Sequence, residues 1–382
     1  MKIFHTAIYG PSKSGIHEAA RDMIKADILA GHEVYFIDIG NINSEGIREY
    51  QPIGTVDNRG GFKLITSNPR DIEQADIIID HNGMPQEFLD NNKEAPVIFI
   101  VHGRPVDSFR IEQQSTKGET SYSYMAKISQ RPRVKKMVYF WPEFKSFWDV
   151  CFSEEKSIAL NYPVMDNNRF NPIGEKYIIK DENRGEYNIL ICDSWGRKDI
   201  DMFEIINGVI QTGREIKNFK LHFYGVENGS DGFIQPCWEL LIKEMRKLGI
   251  MGQIYGRTFE MEKVYRAMDV VLTPHKIITR VVGEALLSGV PVIASNGCTV
   301  SQFHCDPHDP YSVSKAIIEF INSDQVQNKK NALEQSKKLS LENYSKEMNK
   351  IYKEIIKINS LFAKNTVKNT NNFKKFINNK KR

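Results

Sequence analysis

The sequence has no run of about 18 apolar residues, so no transmembrane helix is expected. It has only five cysteines among 382 residues, and none of them forms a CxxC pair. An odd, scattered set of this kind indicates reduced thiols rather than a disulfide framework. The segment 1–9 reads as a strand and lacks the charged start and long apolar core of a signal peptide. We therefore expect a cytoplasmic protein, with peripheral membrane association left open.

The net positive charge of the protein comes entirely from the last residues of the chain. The net charge is +4, but residues 364–382 hold seven basic residues and no acid, which leaves the rest of the chain at −3. The segment 361–382 is also rich in asparagine, and so polar a segment predicts disorder. Such a basic tail can contact nucleic acid or an anionic membrane, and the alternative is a solvated, low-complexity end without a partner.

Short apolar runs alternate with helical patterns through most of the chain, which indicates parallel sheets covered on both faces. We predict an α/β protein of two doubly wound, Rossmann-like domains that face a central ligand cleft. Pro, Asn and charged residues concentrate near 162–185 and predict the boundary. The predicted parts are a domain at 1–165, a linker at 166–185, a domain at 186–325, helices at 326–360 and the tail at 361–382. A single helix is expected over Asn331–Ile358.

The first predicted strand is followed by a loop of small residues from Gly10 to Gly15. Its two glycines have the spacing of a P-loop, but Ile16 and His17 occupy the positions where Lys and Ser or Thr are needed. An ATPase is therefore excluded. What remains is a turn before a helix N-terminus, which either binds an anion or sugar hydroxyl or is only a tight turn.

Two histidines directly follow predicted strands. His102 comes after the strand Val97–Val101 and opens a loop with Gly103, and His81 follows a strand that ends at Asp80. The carboxyl end of a parallel strand is where α/β folds bind ligands, so both are candidates for a site. The alternative is a structural histidine.

The segment 271–295 predicts one strand–helix–strand unit, with a glycine turn at Gly289. Glu284 lies in its short apolar helix, where a carboxylate is costly to bury without a partner. A ribose diol could be that partner, and so could Arg280, four residues earlier. The two interpretations are compatible.

At this segment the chain resembles the family-four retaining glycosyltransferases, which have the GT-B fold. The matching residues are Pro274, Glu284-Ala285 and Gly289-Val290-Pro291-Val292-Ile293-Ala294. Further matches lie in the expected order over roughly residues 1 to 325: Ser14-Gly15-Ile16 with Glu18, Tyr162-Pro163-Val164-Met165-Asp166, Arg169-Phe170, Pro172, Tyr224-Gly225, Gly256-Arg257, Val264-Tyr265 and Asp269-Val270.

The sequence departs from the family pattern at two places. Lys276 stands where the family has the first Glu of its signature, which contacts the donor sugar. Asp193 occupies the position of the family's diphosphate-binding Arg, although Lys198 matches the Lys that follows five residues later. Arg197 is then the replacement that the resemblance suggests, because a guanidinium fork suits a diphosphate.

The resemblance implies transfer of a sugar from a nucleoside diphosphate sugar with retention of configuration, without a metal ion or other cofactor. The implied donor-binding residues are Gly15, Arg197, Lys198, Arg257, Lys276, Arg280 and Glu284, and His102 is the catalytic candidate. The acceptor is open among glycans, lipid-linked sugars and DNA. Two alternatives stay open: a nucleotide-sugar 2-epimerase of the same fold, and a catalytically inactive protein that binds sugar nucleotides.

Overall fold

The computed structural model describes residues 1–7, 15–38, 55–57, 62–64, 75–81, 95–103, 105, 121–192, 202–224, 236–254, 256, 258 and 260–358. The chain divides into two compact units. The first comprises Met1–Asn161 with Glu342–Arg382, and the second comprises Tyr162–Leu341. The first unit is therefore made from two separate stretches of the sequence.

The first unit contains a parallel sheet of six strands in the order β2-β1-β5-β6-β7-β8. A small antiparallel pair, β3 and β4, accompanies it. Its elements are β1 (Lys2–Ala7), α1 (Gly15–Leu29), β2 (Glu33–Asp38), β3 (Thr55–Asp57), β4 (Phe62–Leu64), β5 (Ile77–Asp80), β6 (Val97–Val101), α2 (Ser121–Ser129), β7 (Val134–Phe140), α3 (Lys145–Phe152) and β8 (Ser157–Leu160).

The second unit repeats this plan with a parallel sheet in the order β11-β10-β9-β12-β13-β14. Its elements are β9 (Tyr187–Ile191), α4 (Met202–Glu215), β10 (Phe219–Phe223), α5 (Pro236–Leu248), β11 (Met251–Ile254), α6 (Met261–Arg266), β12 (Val270–Leu272), α7 (Arg280–Leu287), β13 (Val292–Ser295), β14 (Phe303–Cys305), α8 (Pro310–Asn322) and α9 (Gln325–Ser336). A last helix, α10, spans 341–358 and belongs from Glu342 onward to the first unit.

The central strands are apolar on both faces because helices cover both sides of a doubly wound sheet. Every residue of β5, β6 and β12 is buried. The strand order reverses between β1 and β5 in the first sheet, and between β9 and β12 in the second. Ligands of such sheets bind outside the carboxyl ends of the strands at these reversals. The predicted α/β fold of two doubly wound domains is confirmed.

The single helix expected over Asn331–Ile358 is wrong, because the chain leaves the helical path between α9 and α10. Lys337–Leu339 form a 3₁₀ turn, and Ser340 is extended. Tertiary hydrogen bonds replace helical ones here: the carbonyl of Leu339 accepts from the N–H of Met165 at 3.1 Å. Leu339 itself is fully buried, so its side chain anchors the break.

Candidate functional site

The strand–helix–strand unit predicted at 271–295 is formed by β12, α7 and β13, with β12 and β13 paired in parallel. Thr279 is the N-cap residue of α7 and has extended backbone. Gly289 ends the turn after the helix with φ of +75°, in the left-handed region that favours glycine. This geometry places the first turn of α7 beside the carboxyl end of β12.

Glu284 lies one turn into α7 and is 8% exposed. Its Oε1 accepts a hydrogen bond from Nε of Arg280 at 2.8 Å, and Nη2 of Arg280 lies 2.7 Å from the same oxygen in an ion pair. Its Oε2 accepts from the hydroxyl of Tyr265 at 3.3 Å. The ion pair expected from the four-residue spacing is therefore present, and it offsets the free-energy cost of burying this carboxylate.

Tyr265 is the member of this cluster that the sequence interpretation did not assign to a site. It lies on α6, 19 residues before Glu284, and is 1% exposed. Its hydroxyl also lies 3.6 Å from Sγ of Cys192, which directly follows β9. The only sequence indication was its place in the Val264-Tyr265 match. The cluster thus joins α6, α7 and the end of β9 at the strand reversal of the second sheet.

Two buried hydroxyls belong to the loop that joins β12 to α7. Thr273 Oγ1 and Thr279 Oγ1 have no hydrogen-bond partner among the residues that the structure describes. Thr279 is an N-cap residue, yet its side chain makes no capping hydrogen bond. A buried hydroxyl without a partner costs about 1–3 kcal/mol. Groups of this kind favour a ligand with hydrogen-bonding atoms at the same place.

Lys276 is exposed on the same loop, next to the buried His275. The turn after β13 comes close to it, since a Cβ added to Gly297 would lie 3.1 Å from Cβ of Lys276. The structure thus places Lys276, Arg280 and Glu284 on one loop and helix. Whether they bind a donor stays a prediction.

In the first unit, His102 ends a chain of hydrogen-bonded side chains. Its Nε2 lies 2.9 Å from Nδ1 of His81, and Nε2 of His81 lies 3.0 Å from Nδ1 of His5. Nε2 of His5 in turn lies 2.9 Å from Oδ2 of Asp27. Asp27 also accepts from the hydroxyl of Tyr352, at 2.9 Å from Oδ2. We name these five residues the histidine chain.

The sheet order explains how the histidine chain forms. His5 belongs to β1, and His81 and His102 directly follow β5 and β6, which are neighbours in the sheet. The rings are arranged in sequence, with centroid distances of 5.3 Å for His5 and His81 and 5.2 Å for His81 and His102. His5 and Asp27 are fully buried and His81 is 3% exposed. His102 is partly exposed, so it is the end of the chain that a ligand can reach.

Burial and neighbouring charges shift the pKa values of groups in and beside the histidine chain. Burial lowers the pKa of His81 well below its usual value, and positive charge on His102 or His5 lowers it further. Burial also raises the pKa of Tyr352 and of Tyr344 well above the usual value, and the negative charge of Asp27 adds to both shifts.

The remaining predicted site residues are placed as follows. Gly15 is the first residue of α1 and is exposed. Arg197, Lys198, Arg257 and the basic tail lie outside the described residues. In the part of the chain that the structure describes, no three His, Cys, Asp or Glu side chains are arranged to hold a metal ion. None of the helices described there is both long and apolar enough to cross a membrane.

Comparison with known proteins supports the fold. The sequence matches no protein-family model and no curated protein. Solved structures match over almost the whole chain, however. A glycosyltransferase from Rickettsia africae has 14% identity and a TM-score of 0.59, covering 93% of this chain and 98% of its own. Sucrose-phosphate synthase from Thermosynechococcus elongatus has 15% identity and a TM-score of 0.62, with 94% and 99% covered.

A third structure, Anabaena HepE in complex with UDP-glucose, has 13% identity and a TM-score of 0.58, covering 93% of this chain and 100% of its own. At such identities the likeness concerns the fold alone. The two six-stranded parallel sheets of this chain are therefore those of the GT-B fold.

Proposed function

We propose that the protein is a glycosyltransferase that moves a sugar from a nucleoside diphosphate sugar to an acceptor, with retention of configuration. The observation that carries the proposal is the buried carboxylate of Glu284, held by Arg280 and Tyr265 at the strand reversal of the second sheet. The HepE complex with UDP-glucose supports the class of donor. Retention rests on the resemblance of the 271–295 segment.

In this proposal Glu284 binds the ribose of the donor. A carboxylate can accept hydrogen bonds from both hydroxyls of a diol. Arg280 balances its charge and Tyr265 fixes the position of Oε2, so little reorganisation is needed when the ribose arrives. The hydroxyls of Thr273 and Thr279 gain partners from the same ligand.

The diphosphate is assigned to Arg197 and Lys198, and the base to the neighbourhood of Arg257. Two positive charges at the diphosphate would stabilise the leaving group as the bond to the sugar breaks. Lys276, in place of an acid, presents a cation near the donor sugar. Gly15 and His102 are assigned to the sugar and acceptor side. We also propose that no resident metal ion is required, so activity should survive dialysis against EDTA.

The central test compares two variants that each lose one partner of an Arg–Glu pair. Glu284→Ala should weaken binding of the donor by about 1–3 kcal/mol, the usual cost of leaving polar groups unpaired. Glu262→Ala is the matched control, because Glu262 pairs with Arg169 at 2.9 Å in the same unit and is similarly shielded. A panel of UDP-, GDP- and ADP-sugars read by thermal shift selects the donor, since bound ligand stabilises the fold. Calorimetry then measures both variants.

Equal donor affinity in Glu284→Ala and Glu262→Ala would remove Glu284 from the site. A second experiment incubates the selected donor with glycan, lipid-linked and DNA acceptors and follows the product by NMR. Retention predicts that the anomeric configuration of the donor is kept, and an inverted product contradicts it. Epimerised sugar nucleotide would indicate the epimerase, and binding without release of nucleoside diphosphate would indicate an inactive binder.

In this proposal the basic tail affects only the binding of the acceptor. If the acceptor is DNA or lies on an anionic membrane, deleting 364–382 should raise the acceptor KM and flatten its salt dependence. Duplex DNA gives a log–log slope of roughly −0.9 for each phosphate neutralised. Donor hydrolysis should be the same in the full-length and truncated proteins. Equal acceptor kinetics at low and moderate salt would show that the tail has no such role.

A further inference from the structure

Asp27 lies at one end of the rings in the histidine chain, and its hydrogen bonds determine which ring nitrogens carry protons. A carboxylate can only accept hydrogen bonds, so Asp27 takes one from the Tyr352 hydroxyl and one from Nε2–H of His5. Neutral His5 then has an acceptor at Nδ1, and Nε2–H of His81 must donate to it. By the same step, Nε2–H of His102 donates to Nδ1 of His81.

The result is a single tautomer for all three rings. Each neutral histidine carries its proton on Nε2, and Nδ1 of His102 is consequently an acceptor nitrogen. Asp27 thus determines the hydrogen-bonding character of His102 through two intervening rings. A metal site is not an alternative reading of the geometry, because His81 presents a different nitrogen to each neighbouring ring, so the three rings do not face one point.

Uptake of one proton reverses the two hydrogen bonds between the histidine rings, while His5 and Tyr352 keep donating to Asp27. A proton added at Nδ1 of His102 lets this ring pass its Nε2 proton to Nδ1 of His81. His81 then passes its own Nε2 proton to Nδ1 of His5. Each transfer moves the added charge one ring closer to the carboxylate of Asp27, and Nδ1 of His102 is now a donor. The low pKa of His81 agrees with a charge that does not stay on the middle ring.

Other titratable groups border this chain. Tyr352 and Tyr344 on α10 lie beside Asp27, and burial together with its charge keeps their pKa values high. Asp80 precedes His81 on β5 and accepts a hydrogen bond from Thr6 at 3.2 Å. Both tyrosines therefore stay protonated while the histidines titrate.

We propose that Asp27, His5 and His81 are positioning residues that set the tautomer of His102, and that the three histidines take up one proton as a unit. His102 then accepts a hydrogen bond from a sugar hydroxyl when the chain is neutral, and loses this ability when the chain is protonated. The hydrogen bond from the sugar rests on the proposed function, whereas the tautomer assignment and the shared proton uptake do not.

The test uses the full-length protein with ¹⁵N-labelled histidine, without ligand. In the wild type, we expect the ring nitrogen shifts of His5, His81 and His102 to report the Nε2–H tautomer at pH 8. On acidification their shifts should change with one shared midpoint, because interacting groups titrate together. An Nδ1–H tautomer of His102 at pH 8, or three independent midpoints, would overturn the proposal in the unmodified protein.

The variant His81→Leu removes both hydrogen bonds of the middle ring. It should leave His102 as a mixture of tautomers and move its midpoint by about one pH unit or more, the scale of coupled sites. The matched control is His222→Leu, which removes a fully buried histidine in the other unit. An unchanged His102 tautomer in His81→Leu contradicts the proposal, and so does the same change in His222→Leu.

Kinetics separate this inference from the proposed function. With the selected donor and acceptor, the acidic limb of the pH profile of kcat/KM should follow the shared NMR midpoint and move in His81→Leu. A tautomer result as expected, together with no transfer from any donor, refutes the proposed function and leaves the tautomer assignment standing. Active enzyme whose pH profile is unchanged in His81→Leu refutes the role of the chain in catalysis.

Discussion

The substitution Gly283→Ala tests how α7, and with it Glu284, is held in the second unit. An added Cβ at Gly283 would lie 2.1 Å from Sδ and 2.2 Å from Cε of Met165. Relaxed contacts between such atoms are about 3.5–4.0 Å, so the thioether must move by about 1.5 Å. Met165 is fully buried, and a close-packed interior offers little room for that movement.

Two opposing effects determine how much Gly283→Ala changes the free energy of unfolding. Forcing one extra carbon into a packed core costs about 1–3 kcal/mol. Replacing glycine by alanine inside a helix contributes about 1 kcal/mol in the stabilising direction. The net expectation for Gly283→Ala is a loss of up to about 2 kcal/mol. In a Met165→Ala background the obstacle is absent, so the same substitution should be neutral or stabilising by up to about 1 kcal/mol.

The assay is a double-mutant cycle on the full-length chain, with unfolding followed by urea titration in the four proteins. The coupling energy between positions 165 and 283 should be about 1–3 kcal/mol. If Glu284 binds the donor as proposed, donor affinity measured in parallel should fall in Gly283→Ala and recover in the double mutant, because α7 carries Glu284. A loss that is equal with Met165 present and absent would refute the packing argument.

Three further outcomes follow from other parts of the structure. Gly208→Ala in α4 should cost more than Gly283→Ala in urea titrations, because its Cβ would meet Cβ of Val313 at 2.6 Å and a backbone carbonyl at 2.7 Å, neither of which can rotate away. The loss of stability in Gly208→Ala should also add to that of Met165→Ala, without coupling between the two positions. Burial lowers the pKa of His222 to about 4, with Lys220 adding to the shift. In the unfolded chain the pKa of His222 stays near 6.5, so between this pH and pH 4 the unfolded state binds a proton that the folded state does not. The free energy of unfolding should therefore fall by about 3 kcal/mol from pH 7 to pH 4. His222→Gln should flatten this fall in urea titrations at both pH values. Burial raises the pKa of Cys305 to about 12, so at pH 8 it should react with a thiol reagent more than about 100-fold slower than the partly exposed Cys151, as mapped by mass spectrometry.

The fold could be predicted from the sequence because its information is local. The alternation of short apolar runs and helical patterns indicates two doubly wound domains, and the strand Val97–Val101 has the bounds observed. The helix break at Lys337–Leu339 could not be predicted in this way. It depends on the Met165–Leu339 hydrogen bond, which joins residues far apart in the chain.

The same contrast applies to the candidate sites. The Arg280–Glu284 pair follows from a spacing of four residues on one helix. The contacts of Tyr265 and those within the histidine chain depend on which strands and helices become neighbours in the fold. His81 and His102 were candidates as single residues after strands, whereas His5 and Asp27 gain meaning only from the sheet order and from α10. A charged residue on the apolar stripe of α1, next to the buried Ala26, was the available signal for Asp27.

The discontinuous first unit has a consequence for how the chain acquires its structure during synthesis. Tyr352 lies 325 residues after Asp27, yet it supplies one of the donors that this buried carboxylate needs. On the ribosome, the amino-terminal sheet can be made early, but its burial of Asp27 is incomplete until α10 emerges. The second unit, Tyr162–Leu341, is continuous and can fold before that moment. We therefore expect the second unit to complete its structure before the first, in contrast to the usual vectorial order, in which the amino-terminal domain is finished first.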